Sequence, residues 1–323
     1  MKIKAFLKLV EIQTKVASVI PYFTALLYVL YSTKRLNMVN MLVMFFAMVI
    51  FDMTVTALNN YGDHKRAVKT HGYNYEVHNS IVQYNLKTAT VKTVIVAMFL
   101  ISAGLGILLV YRTNIITLLL GAFCFAIGFL YSFGPLPISR TPFGEIFSGL
   151  TMGLGIPFIT FYVNVFDKNV LDISFANPNL TIAFDVYQIV GILLVSLPCV
   201  FGIANIMLAN NICDIEDDLQ NKRYTLAILI GREKALTLLK LLFGLAYVAM
   251  VAAVAAGFLP LYSLLALLTV IPLSKNVKLF TENPTKKDTF GFIVGSFVMS
   301  AAALLLTIGL GVLDGAFLHL LVR

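Results

Sequence analysis

The chain has 323 residues, of which 59% are hydrophobic and only 12% are charged. So few charged side chains cannot cover the surface of a water-soluble protein of this size, which excludes an ordinary soluble enzyme or binding domain. The formal net charge of +8 would by itself also fit a nucleic-acid-binding protein. The distribution of the charges along the chain shows whether they serve nucleic-acid binding or the orientation of a membrane protein.

The apolar residues form runs that are long enough to cross a lipid bilayer. A hydrocarbon core about 30 Å thick needs roughly 20 apolar residues per helix. Pro21 and Pro260 interrupt or bound the first and eighth runs, so eight or ten spans remain alternatives to nine. The sequence therefore predicts an all-α polytopic membrane protein of about nine helices, near residues 16–32, 36–58, 91–111, 114–131, 144–165, 187–209, 235–256, 258–274 and 289–312.

The first of these runs follows a basic N-terminal segment that resembles the start of a signal peptide. No A-x-A-like cleavage site lies between Tyr28 and Thr33, so we interpret the run as a retained helix. Apolar residues alternate with lysines before it, which predicts an amphipathic helix on the membrane surface.

The basic residues are distributed unequally between the two sides of the predicted topology. With a cytoplasmic N-terminus, 17 of the 24 Lys and Arg residues lie on the cytoplasmic side and 5 on the other, with Lys92 and Lys240 at helix starts. Such an excess marks cytoplasmic loops of membrane proteins. The charge thus predicts orientation in the cell membrane, with the bilayer as partner and no nucleic acid.

One short pattern, Asn-Asn-x-x-Asp, occurs at residues 59–63 and again at 210–214. Each copy stands at the predicted cytoplasmic end of a long apolar helix, and four helices separate them. We therefore predict a single domain, 1–323, built from two four-helix pseudo-repeats, about 16–131 and 144–274, around a central cavity, with helix 289–312 added. Chance similarity of helix-end asparagines is the alternative. The loop 166–185 on the outer side is expected to be a connector.

The spacing of the acidic residues in these motifs indicates a metal site. If the helix continues past Asn210, Asp214 and Asp218 share one face, and a divalent cation between them would offset their repulsion. Asn59 and Asp63 repeat the spacing. Oxygen ligands favour magnesium over zinc, and magnesium held by one or two carboxylates usually bridges to phosphates. The sequence therefore predicts a diphosphate held between two helix ends.

Basic residues follow both motifs and could bind such a diphosphate. The alternative is that they are solvated charges that only set the topology. They are Lys65, Arg66 and Lys69 after the first motif, and Lys222, Arg223 and Arg232 after the second.

Other metal chemistry is not supported. The three cysteines form no CxxC pair, so neither a disulfide framework nor a zinc site is predicted. Three histidines recur every seven residues, but Gly72 lies among them and a polar loop explains them better. These residues are Cys124, Cys199, Cys213, His64, His71 and His78.

The chain resembles the UbiA superfamily of intramembrane aromatic prenyltransferases over nearly its whole length. The resemblance is carried by the two motifs and by two longer stretches, YSFGPLPISRTPFGEIFSGLTMG at 131–153 and NNICDIEDDLQNKRYTLAILIGREKA at 210–235. Within this superfamily they look most like the 1,4-dihydroxy-2-naphthoate prenyltransferases of menaquinone biosynthesis. The resemblance implies nine helices, two Mg²⁺ ions, a polyprenyl diphosphate donor and an aromatic acceptor that is alkylated at carbon and then decarboxylated.

The resemblance also implies roles for individual residues. Metal ligands are expected at Asn59, Asp63, Asn210, Asp214 and Asp218, and diphosphate contacts at Lys69, Lys222, Arg223, Asn60 and Asn211. Catalytic roles are expected for Asp63, Asp214 and Asp218, and for Tyr131 and Arg140 at the predicted mouth of the site.

The chain departs from the family pattern in the first motif. Where a third acid is usual it has Ala67 or Lys69, and Asn60 stands where aspartate is common. We expect a poorer first metal site, completed by waters, or Lys69 in direct contact with phosphate. Residues 70–88 fit the family poorly, so the acceptor contacts are not predicted there.

Two alternative functions remain at this point. Another acceptor, such as 4-hydroxybenzoate or haem, would leave the same donor chemistry in place. A secondary transporter also has repeats and ionisable residues in its spans, but its binding sites lie near the bilayer midplane and not at helix ends.

Overall fold

The computed structural model describes residues 1–66, 79–176 and 179–321, with the backbone alone at Arg66, Ala176 and 316–321. Within these ranges, nine helices are long and apolar enough to cross a membrane. This confirms the predicted fold class and the predicted number of spans. The helices are α1 Val16–Thr33, α2 Met38–Arg66, α3 Thr88–Arg112, α4 Ile115–Ser132, α5 Gly144–Lys168, α6 Val186–Cys213, α7 Arg232–Ala255, α8 Leu261–Glu282 and α9 Phe290–Leu321.

Three spans are clearly longer than the sequence predicts, and one of them is α9, which was expected to end near 312 but continues to Leu321. Helix α2 was expected to end near residue 58 but continues to Arg66, because Gly62 alone does not break a helix and no proline follows it. Helix α8 was expected to end near 274 but continues to Glu282 after opening as a 3₁₀ helix, Leu261–Thr269. The first motif therefore lies within the last turns of α2.

Short elements occupy the ends of the spans. The N-terminal helix Ile3–Leu9 ends in a cluster where its last residue, Leu9, and the following Val10 are buried against residues of α2 and α3. It is therefore docked on the protein, with Ile3 and Leu7 exposed. The other short helices are Ile12–Lys15, Ser80–Gln83, Ile138–Arg140, Ile215–Gln220 and Leu226–Ile230.

Helix α6 is central to the bundle and packs against α1, α5, α7 and α9. Its contact with α5 is close because Gly153 faces Val200, where an added Cβ would lie only 2.5 Å from the Val200 Cα atom. Helix α5 also contains a π-helical turn, Thr151–Gly155, at this contact. The close packing places the start of α5 beside the end of α6, where the second motif lies.

The connection between α5 and α6 is a β-hairpin and not the plain connector expected from the sequence. Strand β1, Leu171–Ala176, pairs antiparallel with β2, Asn179–Phe184. The overlooked signal is the alternation of large apolar residues with polar residues or alanine in both strands. The hairpin lies at the start of α6 and the second motif lies at the end of α6. Because α6 spans the membrane, the hairpin and the second motif lie on opposite sides of it.

Candidate active site

The second motif lies where α6 bends. The helix ends at Cys213, Asp214 has φ −100° and ψ 9°, and the short helix Ile215–Gln220 follows. The backbone N–H of Asp218 donates to the Asp214 carbonyl at 2.8 Å, so the helical spacing of the two aspartates survives the bend. Asp218 is buried and Asp214 is partly exposed.

Arg223 joins the two motifs. Its Nε lies 3.3 Å from Asp218 Oδ1, and its Nη1 lies 4.0 Å from Asp63 Oδ2 at the end of α2. Its Nη2 also donates to the Ser139 carbonyl at 3.3 Å. The structure therefore brings the first and second motifs to face each other across one guanidinium group.

Asp218 is poorly compensated despite this ion pair. Its Oδ2 is buried and has no hydrogen-bond partner among the described residues. Burial raises the pKa of Asp218 to about 6; Arg223 opposes this increase, while the nearby Asp214 carboxylate adds to it. A buried oxygen in this state fits an additional cation.

Asp214 contacts Lys286, a basic residue that the sequence predicted only to contribute to the orientation of the protein in the membrane. The Lys286 ammonium and Asn210 Nδ2 both donate to Asp214 Oδ2, the latter at 3.3 Å. Lys286 lies in the loop between α8 and α9. There the Thr285 N–H donates to Thr289 Oγ1 at 3.0 Å, and Thr289 Oγ1 in turn donates to the Asn283 carbonyl at 2.6 Å. These bonds hold the loop that presents Lys286.

Arg140 lies beside the loop that follows the second motif. Its Nη2 donates to the Asn221 carbonyl at 3.2 Å, and its own carbonyl accepts from the Tyr224 N–H at 3.0 Å. These contacts tie the loop after α4 to the loop after the second motif.

Tyr131 lies between three spans. Its hydroxyl accepts from Ser148 Oγ on α5 at 3.1 Å and donates to Met207 Sδ on α6 at 3.5 Å. The described contacts connect it to helix packing and do not place it on a motif carboxylate.

Two asparagines predicted to contact the diphosphate have other partners. Asn60 Nδ2 donates to the Leu9 carbonyl at 3.0 Å and to Glu11 Oε1 at 3.1 Å. Asn211 Nδ2 donates to the buried Glu145 at 2.9 Å. Successive helical residues point about 100° apart, so Asn60 faces away from Asn59. Both amides thus bind groups other than the aspartates of the two motifs, and their hydrogen bonds hold neighbouring segments in place.

Some of the remaining predicted residues are described by the structure and others are not. Asn59 is partly exposed one turn before Asp63, and Lys222 is exposed with φ 54° next to Arg223. Arg232 pairs with Glu216 at 3.5 Å on the surface. The predictions for Ala67, Lys69, His71 and His78 lie outside the described residues.

The donor set fits magnesium. In the described parts of the chain, no group of three His, Cys, Asp or Glu side chains could hold a metal ion. Asp63 and Asp218 instead both contact Arg223, and Asp218 Oδ2 is buried without a hydrogen-bond partner among the described residues. Magnesium commonly binds to one or two carboxylates and completes its shell with water and phosphate oxygens.

Comparison with known proteins identifies the family. Residues 18–301 match the sequence model of the UbiA prenyltransferase family. The chain is 31% identical over 270 residues to the 1,4-dihydroxy-2-naphthoate octaprenyltransferase of Bacillus subtilis (strain 168). The matched region covers 84% of this chain and 80% of the relative.

Solved structures share the fold at low identity. A UbiA homolog from Aeropyrum pernix K1, in its apo form, matches with a TM-score of 0.63 and 18% identity over 98% of this chain and 99% of that one. A UbiA homolog from Archaeoglobus fulgidus bound to DMAPP and Mg²⁺ matches with a TM-score of 0.60 and 13% identity over 95% and 98%.

The nine apolar spans in the described residues and the family match together define a membrane-embedded prenyltransferase. The chain belongs to the UbiA prenyltransferase family. This confirms the resemblance carried by the two motifs and removes the transporter alternative.

Proposed function

We propose that the protein transfers a polyprenyl group from polyprenyl diphosphate to 1,4-dihydroxy-2-naphthoate, in a magnesium-dependent reaction at the cytoplasmic face of the cell membrane. The observation that carries the donor half of this proposal is the contact of Arg223 with carboxylates from both motifs. The acceptor is proposed from the Bacillus subtilis relative, whose name specifies that substrate.

The acidic and basic side chains bind the donor in different ways. Asp63, Asp214 and Asp218, with Asn59 and Asn210, would hold magnesium, which when bound supplies positive charge to the oxygens of the departing diphosphate. Arg223 has a planar guanidinium suited to two parallel bonds to phosphate oxygens.

Two lysines add further positive charge to the candidate diphosphate site. Lys222 is exposed beside Arg223, and Lys286 reaches the site from the α8–α9 loop. We propose that both turn their ammonium groups to the diphosphate when the donor is bound, since each is a flexible point charge.

The reaction then breaks one bond and forms another. The allylic C–O bond breaks, and its electron pair leaves with the diphosphate, whose negative charge Arg223 and the lysines stabilise. The electron-rich ring of the acceptor forms the new C–C bond at the carbon that bears the carboxylate. The bond from this carbon to the carboxylate then breaks, carbon dioxide leaves, and the electron pair of that bond restores the aromatic ring. The product is the demethylmenaquinone ring in its hydroquinone form.

The acceptor assignment can be tested with the purified protein in lipid nanodiscs, supplied with Mg²⁺ and geranyl diphosphate. Each of 1,4-dihydroxy-2-naphthoate, 4-hydroxybenzoate and haem is offered separately, and products are measured by mass spectrometry. We expect a geranylated, decarboxylated product from the naphthoate alone. Product from 4-hydroxybenzoate or haem but none from the naphthoate would overturn the acceptor and leave the donor chemistry standing.

A further inference from the structure

The hairpin between α5 and α6 has one wholly apolar face. Its register pairs Leu171 with Phe184, Ile173 with Ile182 and Phe175 with Leu180. Paired residues in an antiparallel ribbon point to the same face, and alternate residues along a strand share that face. All six large apolar side chains therefore lie on one side of the ribbon. Asp172, Ser174 and Thr181 lie on the other.

The described parts of the chain leave four of the six side chains on this face uncovered, while Leu171 and Ile173 near the membrane spans are partly buried. Phe175, Leu180, Ile182 and Phe184 are each more than half exposed. A contiguous apolar patch of this kind marks a surface that contacts another apolar phase or molecule.

Both ends of the hairpin are fixed to the ends of membrane spans. Val170, just before β1, is buried, and its carbonyl accepts from the Asp185 N–H at 2.9 Å. Asp185 caps α6, where its carboxylate accepts from the Gln188 N–H at 3.1 Å. The hairpin is thus held at the membrane surface by its own connections.

The exposed apolar surface continues into the start of α6, at Val186 and Tyr187, which are also more than half exposed. These residues begin a span whose outward side is solvated by lipid, and tyrosine is enriched at this depth. The same lipid layer that covers them lies next to the hairpin.

We propose that the β1–β2 hairpin is an interfacial membrane anchor, whose apolar face inserts among the lipids of the leaflet opposite the candidate active site. No Lys or Arg lies between residues 169 and 185, and the charged residues there are Asp172 and Asp185. The occupant of the face is therefore the acyl-chain boundary of the bilayer, and anionic head groups play no part in attracting it.

The absence of tryptophan from the sequence allows a direct test. Phe175→Trp places a unique fluorophore on the apolar face, and Ser174→Trp places the matched control on the polar face. Each full-length variant is reconstituted in nanodiscs with ordinary or acyl-brominated lipids, and its emission is also titrated with aqueous acrylamide. Prenyl transfer by both variants checks that they are folded.

We expect the Phe175→Trp emission to be blue-shifted, strongly quenched by brominated lipid and weakly quenched by acrylamide. The Ser174→Trp emission should show the reverse pattern, and neither should depend on the anionic lipid content. Equal quenching of both by acrylamide would place the hairpin in water and overturn the proposal. Protection of the Phe175→Trp fluorophore from both quenchers would also overturn it, because a protein surface such as a second copy would then cover the face.

Discussion

At the scale of single residues, the site is organised by one guanidinium and one incompletely paired carboxylate. Arg223 lies within 4.0 Å of Asp63 and 3.3 Å of Asp218. The Asp218 carboxylate nevertheless keeps a raised pKa, mainly because it is buried. A carboxylate whose charge is costly to the folded protein is retained for what it binds and not for stability.

Asp218→Asn tests this distinction, because it removes the charge and keeps the shape. We expect turnover to fall by about 100-fold or more, the size of effect seen when one electrostatic group of a site is lost, while the melting temperature is maintained. The exposed Asp217→Asn is the matched control and should keep parental rates. Parental turnover in Asp218→Asn would remove Asp218 from the site.

Lys286→Gln tests the role of the lysine that contacts Asp214. Without the competing ammonium, less magnesium should be needed for half-maximal rate. The KM for prenyl diphosphate should rise by roughly tenfold or more, because a charged hydrogen bond contributes about 1.5–3 kcal/mol. The adjacent, exposed Lys287→Gln should change neither quantity. If the two variants behave alike in a magnesium titration, Lys286 acts only as a topology charge.

At the scale of elements, the site depends on how closely α5 and α6 pack. A Cβ on Gly153 would meet the Val200 N and Cα atoms at 2.5 Å, and backbone atoms cannot rotate away as a side chain can. Asn211 on α6 also donates to Glu145 on α5 at 2.9 Å. Separation of these two helices would therefore move the second motif relative to the Arg140 loop.

Gly153→Ala should destabilise the protein by about 1–3 kcal/mol, as overpacking does. Gly121→Ala on α4 is the control, since an added Cβ there has no atom within 4 Å. It should leave stability unchanged or raise it by up to about 1 kcal/mol through the better helix propensity of alanine. Thermal unfolding in one detergent compares them, and equal melting temperatures would contradict the close-packed contact.

At the scale of the whole molecule, the spans and the facing motifs could be predicted because both are local properties of the sequence. Bilayer thickness selects long apolar runs, and helical spacing aligns Asp214 with Asp218. The partners of Asn60 and Asn211 could not be predicted, because they depend on which way each helix is rotated in the bundle. The contact of Lys286 with Asp214 spans 72 residues, and no local pattern encodes it. The duplication of two four-helix halves and the role of Lys69 stay predictions.

The uneven loop charges predict the orientation of the molecule, with the active-site loops in the cytoplasm. Ser174→Cys in the hairpin should react with a membrane-impermeant maleimide on intact cells. Lys222→Cys beside the second motif should react only after the cells are permeabilised. The parent, with its three native cysteines, provides the background labelling. The reverse pattern would place the active-site loops outside the cell.

The most direct measurement of the central claim is Mn²⁺ binding, followed by electron paramagnetic resonance in the presence and absence of a non-reactive thiolo analogue of geranyl diphosphate. If both motifs hold one metal-bound diphosphate, the analogue should tighten Mn²⁺ binding to the parent. Asp63→Asn and Asp218→Asn, one in each motif, should each abolish that tightening. Tightening that persists unchanged in either variant would show that the two motifs do not share one diphosphate site.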